Sequence, residues 1–491
     1  MESFSLASSG SRVTGLSTYL RAEDTLLGLV GSKCRSIREA LVREGLYCSD
    51  PGALSGNNSW RVGVSPFPLT QSEYAFLQSL GAHLLAFYHV VNRLYLDSLH
   101  GHAPDWVARY LDQGKPETVV AYGRMNRFRQ HLPTVIRPDL ILGDNGMIAT
   151  ELDAVPGGIG LTGCLSAAYA AVGSLPIGGA SGMVAEFARM IRSLLPKPRI
   201  RLAIVVSDES AAYRPEMAWL ARALQGEGIT AMMTQPAEIR FTEEGLWVEE
   251  DGPQRIDVLY RFFELFDLKN IPKAELILHA VKKRQVVMIP PAKAHLEEKS
   301  LFALFHHPVL APFWGRQLGE ETVTVLRSLF PKTWIMDPAH VPPHAVIPGL
   351  SLRGQPVSDF RQMGSATQKE RGFVIKPSGF SELAWGSRGV SVGQDLSEMA
   401  WNEVIQQALA RFPKTPSILQ VFHKGKKVVV TYYDFDQGCP VEMEGRVRLS
   451  PYYYVHGGET SLGGVLATVC SAEKKLIHGM ADAVMTPCEV S

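Results

Sequence analysis

No run of ~18 consecutive apolar residues occurs in the 491-residue chain, so a bilayer-crossing helix is not expected. The opening stretch MESFSLASSGSRVTG lacks the apolar core of a secretory leader, and a cytoplasmic protein is expected. Cysteine is sparse. Its six positions (34, 48, 164, 439, 470 and 488) are scattered with no C-x-x-C. That spacing argues against a disulfide framework and leaves reduced thiols as the expected state. Surplus charge is also missing, because 49 Lys and Arg balance 49 Asp and Glu. Without a basic excess, neither nucleic acid nor an acidic membrane is expected as the main partner. No internal repeat or low-complexity tract stands out.

What is present is an ordinary globular composition, 46% hydrophobic and 20% charged, which suffices for a sizeable core. The length fits two to four domains of ~100–200 residues each. Glycine and proline are abundant but dispersed, which implies many turns between short elements.

Residues 373–393, FVIKPSGFSELAWGSRGVSVG, form the most informative stretch. Residues 373–376 read as a short apolar strand ending in Lys376. A Gly/Ser loop with Gly379, Gly386, Ser387 and Gly389 follows, and residues 389–393 read as a returning strand. A lysine at the base of a glycine-rich hairpin suits polyphosphate. Backbone N–H groups approach the oxygens without a Cβ in the way, and the ammonium neutralises charge. An ordinary surface hairpin is the competing reading.

Residues 137–153, RPDLILGDNGMIATELD, form the second such stretch. Asp144-Asn145-Gly146 is a hairpin turn signal between two strands. Asp139 and Glu151 then sit opposite each other, with Asp153 on the same face. Three carboxylates on one face repel unless a cation lies between them, and oxygen-only ligands suit Mg²⁺ or Mn²⁺. Solvated acids on a polar hairpin are the alternative. Next, Gly158, Gly160 and Gly163 match G-x-G-x-x-G formally, but no second strand with a terminal acid follows. We read these glycines as a close-packing loop, with a dinucleotide site as the minor alternative, and residues 164–172 as a candidate helix.

Elsewhere, residues 37–43 read as a short amphipathic helix, and residues 73–99 as a long helix capped by Thr70 or Ser72. His83 and His89 on that helix are six apart and read as structural. Residues 197–289 alternate strand and helix as a small parallel α/β domain, which makes 207–214 and 260–264 cleft candidates. Lys299, in the segment LEEK, reads locally as a surface helix residue. Residues 339–368 are loop-rich. A helix at 396–410 carries a Trp401, Ile405, Leu409 stripe, and strands follow at 417–422 and 427–433. Together with the 373–393 hairpin these form a compact α+β unit, 372–434. Arg446 and Arg448 share one face of a further strand. No catalytic cysteine or serine triad is supported; Cys164 reads as a buried small thiol.

The order of these pieces resembles the ATP-grasp superfamily, and more closely its circularly permuted branch, which includes glutathionylspermidine-synthase-like and uncharacterised bacterial proteins. The D…E-x-D segment comes before the lid, IDVLYRFFE and LEEK resemble the branch's VDVLYRR…DDK, and VIKP follows. The resemblance spans roughly 120–470. Two departures stand out: Asp153 replaces the usual Asn, and ELDAVPGG replaces ELN followed by P-S-G.

The resemblance implies a multidomain chain, α/β and α+β, with an ATP-grasp-like fold in circularly permuted order and a small parallel α/β (pre-ATP-grasp) domain. The implied division is 1–195 (helical region, metal-carboxylate hairpin and glycine loop), 196–295 (α/β domain), 296–371 (connecting helical segment), 372–440 (lid) and 441–491 (strands completing the core). It implies Asp139, Glu151 and Asp153 as ligands of Mg²⁺ (or Mn²⁺), and Lys299 and Lys376 as the phosphate lysines of an ATP site. Ser378, Gly379, Gly386, Ser387 and Gly389 would cover the phosphates, and Gln420 would meet the adenine. Arg446 or Arg448 would face the phosphates or an acyl phosphate. The implied activity is ATP-dependent carboxylate–amine ligation through an acyl phosphate. Its small-molecule substrates would be an acid and an amine (amino acid, peptide or polyamine). Arg137, Arg214 and Arg261 are candidate carboxylate binders, with a structural ion-pair role as the competing reading for each. Arg261 is the best of them because it ends a strand at the cleft. A phosphotransferase and a degenerate ATP-binding protein are the alternatives, and a homodimer is left open.

Overall fold

The structure is a computed structural model that describes residues 12–47, 60–153, 155–250, 252–342, 344–384, 386, 388–474, 477 and 482–491. Its largest sheet has eight strands. The central path runs Arg61–Val62, Val484–Val490, Glu459–Ser471, Cys439–His456, Val135–Gly143 and Gly146–Asp153. Val428–Asp434 pairs with Cys439–His456, and Phe67–Leu69 pairs with Val484–Val490.

Alternation along Cys439–His456 feeds two cores. Val447, Leu449 and Tyr453 enter one with Leu77, Leu84 and Phe87 of helix Gln71–Leu99. Tyr452 and Tyr454 enter the other, with helices Ile159–Ala171 and Gly182–Leu194. Helix Gln71–Leu99 starts as expected. Thr70 Oγ1 accepts the Glu73 N–H at 3.3 Å, and the Glu73 carboxylate accepts the Thr70 N–H at 2.8 Å.

Residues 201–289 carry a four-stranded parallel sheet in the order Val287–Ile289, Val258–Phe262, Arg201–Val206, Thr230–Thr234. Both faces are covered, as parallel strands require. Leu202, Ile204 and Tyr260 point into one core, and Ala203, Val205 and Leu259 into another. A three-stranded ribbon, Arg240–Thr242, Gly245–Glu249 and Pro253–Arg255, is inserted here without having been anticipated.

Where the lid was expected there is a four-stranded sheet in the order Thr333–Ile335, Ser417–Val421, Phe373–Pro377, Ser391–Val392, all antiparallel. Helix Glu398–Arg411 covers it with Trp401, Ile405 and Leu409.

Several expectations need correction. The N-terminal helix is Arg12–Arg43, not 37–43 alone. Gly160 and Gly163 lie inside helix Ile159–Ala171 rather than in a loop. Strand Val428–Asp434 joins the large sheet, so the lid takes its fourth strand from Thr333–Ile335 upstream. The return strand after the glycine loop is only Ser391–Val392. Lys299 is not on a surface helix. It lies in an irregular turn ahead of helix Leu301–His306.

Candidate active site

The carboxylate hairpin is strands Val135–Gly143 and Gly146–Asp153. Its register pairs Arg137 with Asp153 and Asp139 with Glu151, and a bulge follows Asp139. The period of two puts all four side chains on one face. Asp139 is 1% exposed and surrounded by donors. Arg137 Nε stands 3.0 Å from Oδ1 and Arg448 Nη1 3.2 Å from Oδ2. The Ser450 hydroxyl donates to Oδ1 at 3.1 Å. Asp153 accepts from Arg137 Nη2 at 2.8 Å and from the Val155 N–H at 2.9 Å. The fork of Arg137 also donates to the Gly157 carbonyl at 2.9 Å.

Two lysines arrive from distant segments. Lys376 ends the apolar part of strand Phe373–Pro377, and its Nζ donates to the Thr150 carbonyl at 2.9 Å. Lys299 Nζ stands 3.3 Å from Glu151 Oε2 and donates to the Ala384 carbonyl at 3.2 Å. Burial would raise the Glu151 carboxyl, but Lys299, Lys376, Arg137 and Arg448 together outweigh it and pull the group down to about 2. Burial lowers the Lys376 ammonium to about 8 in spite of Glu151. Burial also acts to lower Lys299, yet the attraction of Glu151 leaves that group above its ordinary value.

The glycine loop folds down onto the LEEK turn. The Ser378 hydroxyl donates to Glu298, whose carboxylate also pairs with the buried Lys115. Gly379 passes so close that an added Cβ would stand 1.8 Å from the Glu297 carbonyl oxygen. Gly389 packs on Pro377, and Gly386 takes a left-handed φ of 62°. Ser387 lies outside the described residues. The cavity left between Thr150, Glu151, Leu152, Leu296, Glu298 and Lys299 is about 10 Å³. That is room for about one water molecule. A wider surface depression of about 530 Å³ lies along Asp105, Arg109, Asp112 and Arg124, and none of the predicted site residues line it.

The remaining predicted residues separate. Of the two arginines on strand Cys439–His456, Arg448 faces the hairpin carboxylates. Arg446 instead donates to the carbonyls of Gly425, at 3.0 Å, and Ala472. Arg261 is fully buried, and the carboxylate it binds is the chain's own Glu297. Its Nη1 also holds the Phe263 carbonyl at 2.6 Å. Gln420 is 2% exposed, with its amide donating to Thr333 Oγ1 at 3.2 Å inside the lid sheet. Arg214 holds Asp208 and the Ser207 carbonyl. The glycine triplet is a close-packed joint between helices Ile159–Ala171 and Arg214–Gly226: an added Cβ on Gly160 would stand 2.1 Å from the Glu216 carbonyl oxygen.

Glu297, Glu298 and Lys115 were not picked as site residues from the sequence, whereas Glu264 closes the 260–264 cleft stretch. Burial, with Glu297 and Asp153 nearby, pushes the Glu264 carboxyl up to about 8. The E-E-K spacing was the available signal for Glu297 and Glu298. Lys115 carries no local signal at all.

The donor set does not fit the divalent cation that the hairpin suggested. Both oxygens of Asp139 and both of Asp153 are engaged by this chain's own donors, and Glu151 is paired with Lys299. Among the described residues, no group of three or more His, Cys, Asp or Glu side chains converges as a metal site. No helix among them is long and apolar enough to cross a membrane.

No protein-family model matches the chain, and no curated protein sequence does. Solved structures do match. A glutathione synthetase-like effector from Globodera pallida, determined in the apo form, is 11% identical. Its alignment covers 94% of this chain and 97% of its own, with a TM-score of 0.55. A candidate gamma-glutamylcysteine synthetase from Methylobacillus flagellatus is 13% identical over 82% of this chain and 84% of its own. Its TM-score of 0.38 carries no argument. The first likeness is one of fold: this chain is built on the mixed α/β scaffold of a glutathione-synthetase-like protein.

Proposed function

We propose that the chain is an ATP-dependent carboxylate–amine ligase working through an acyl phosphate. The observation that carries this reading is the meeting of Lys299 and Lys376 at Glu151 beneath the 378–389 loop. The likeness of the whole scaffold to a glutathione-synthetase-like protein supports it.

In this reading Lys299, Lys376 and Arg448 supply positive charge to the phosphates. At neutral pH an ammonium titrating at about 8 is still mostly charged. A substrate carboxylate oxygen attacks the γ-phosphorus and the bond to ADP breaks. The amine nitrogen then attacks the acyl carbon, phosphate leaves, and the nitrogen gives up a proton. Such chemistry needs positioning and charge stabilisation more than a dedicated nucleophile. Mg²⁺ (or Mn²⁺), expected from the hairpin, has no step here because the donor set does not fit it. Nucleotide entry requires the 378–389 loop to lift from residues 297–299, since the cavity is only about 10 Å³.

A second reading, a degenerate nucleotide-binding module, draws on that small cavity and on the fully paired carboxylates. Release of ADP and phosphate, assayed against panels of amino acids, peptides and polyamines, separates the readings. A ligase releases both products and depends on two substrates. A phosphotransferase leaves the phosphate on its product, and a module releases nothing.

A further inference from the structure

The cation between the hairpin carboxylates is supplied by the protein itself. Arg137 lies on the same strand face as Asp139 and directly across from Asp153. Its guanidinium reaches both, at 3.0 and 2.8 Å, and ties down the Gly157 carbonyl as well. The Arg137 side chain is 11% exposed and the Asp139 side chain 2%. We infer that Arg137 is a built-in counter-ion that takes the place of a divalent metal, so that Asp139, Glu151 and Asp153 do not ligate one.

Three physical points carry this. A divalent ion of the Mg²⁺ type needs carboxylate oxygens free to complete a near-octahedral shell at ~2.1 Å. Here Oδ1 of Asp139 accepts the Ser450 hydroxyl and ion-pairs with Arg137, and Oδ2 ion-pairs with Arg448. Those of Asp153 are held by Arg137 and a backbone N–H. Secondly, a guanidinium stays protonated at any working pH, so no change of pH empties the position. Its planar fork matches two carboxylates at once, which a lysine at the same place would not. Thirdly, a metal bound at Asp139, whose side chain is 2% exposed, would bring a double positive charge against the fixed charges of Arg137 and Arg448 beside it. The three carboxylates thus serve to hold the arginines and Lys299 in place, and those cations form the face that meets an anion. The inference stands whether or not the chain turns over ATP.

Electron paramagnetic resonance of Mn²⁺ tests it on the full chain, with and without ATP. Wild type and Glu151→Gln are expected to withdraw the same amount of Mn²⁺ signal. Arg137→Met, which keeps the aliphatic stem and removes the guanidinium shared by the two aspartates, is expected to bind Mn²⁺ at least tenfold more tightly than wild type. Wild-type binding of one Mn²⁺ that is lost in Glu151→Gln or Asp139→Asn would overturn the inference. A folded Arg137→Met with no gain would overturn the role given to that arginine. Equilibrium dialysis of ATP in EDTA and in Mg²⁺ is run alongside. Absence of ATP binding in both buffers defeats the ligase reading and leaves the Mn²⁺ comparison decisive on its own question.

Discussion

Two carboxylates, the half-buried Glu151 and the buried Glu216, have been accommodated in opposite ways. Glu151 lies on the hairpin among four cations and is pulled down to about 2. Glu216, 6% exposed, opens helix Arg214–Gly226 and has no side-chain ion pair among the described residues. It accepts the Gly158 N–H at 2.7 Å and the Leu161 N–H at 3.0 Å, at the start of helix Ile159–Ala171. Burial wins there, and the group rises to about 7. At Glu151 four cations outweigh burial, and at Glu216 two backbone N–H groups do not. One cation is not enough either: burial pushes Asp153 up despite Arg137, and Glu297 up despite Arg261. The arrangement at Glu216 joins helices Arg214–Gly226 and Ile159–Ala171, and that at Glu151 gathers four cations around a carboxylate.

The strongest test of this contrast is at the face. Lys376→Ala is expected to cut ATP-dependent product release by at least ~100-fold, since such groups act on developing charge, with the thermal midpoint little changed. Glu151→Ala should do the same through loss of Lys299 positioning. Activity within threefold of wild type in either variant removes the hairpin from the site.

At the joint the effect should fall on stability instead. Gly160→Ala drives a methyl group into the Glu216 backbone. A loss of about 3 kcal/mol in urea unfolding is expected, as for other forced overpacking, with little change in ATP binding by the protein that remains folded. No loss would mean that the two helices are not in the described contact.

The two acids should also leave opposite marks on the pH dependence of stability. In the folded chain Glu216 keeps its proton up to about 7, against an ordinary 4.5. The folded state therefore binds more protons across that window, and stability falls as pH rises through it, by on the order of 3 kcal/mol. For Glu151 the sign reverses. Its stabilisation is fully present above about 4.5 and is lost as pH falls toward about 2. Unfolding curves from pH 4.5 to 8 that are no flatter in Glu216→Gln than in wild type would refute the first half.

The smallest effect is expected where neither kind of shielding exists. Arg240 and Glu249 pair at 2.9 Å with both side chains half or more exposed. Arg240→Ala should change stability by under ~0.5 kcal/mol. A larger change by the same urea measurement would show that the ribbon has partners beyond those described.

The parts of this site that are close in sequence were readable. Two strands around Asp144-Asn145-Gly146 dictate their own register, so Asp139 opposite Glu151 follows from turn geometry and the period of two. Arg137 opposite Asp153 follows from the same register, yet the sequence left Arg137 open between a substrate-carboxylate binder and a structural ion-pair partner, and the structure shows the ion pair. A side chain's preference for a partner inside the chain depends on rotamer and burial, which spacing does not express. Arg446 and Arg448 show the same gap. They share a face, but one stands beside Asp139 and the other beside the carbonyls of Gly425 and Ala472. The long N-terminal helix was read only at its end, where Ile37 and Leu41 enter a core.

By itself, the sequence determined the elements whose signals are local. These are the capped helix Gln71–Leu99, the carboxylate hairpin, the parallel α/β alternation, the Trp401 stripe and the lysine at the end of VIKP. Each rests on periodicity, turn chemistry or capping within a few residues. Only the tertiary structure decided the rest. It brought Lys299 to Glu151 and Glu298 to Ser378, drew the lid's fourth strand from Thr333–Ile335, and set Arg137 between two aspartates. Those pairings join segments far apart in the chain, where charge and hydrogen-bonding capacity are shared out by burial and by whichever partner the packing brings within reach.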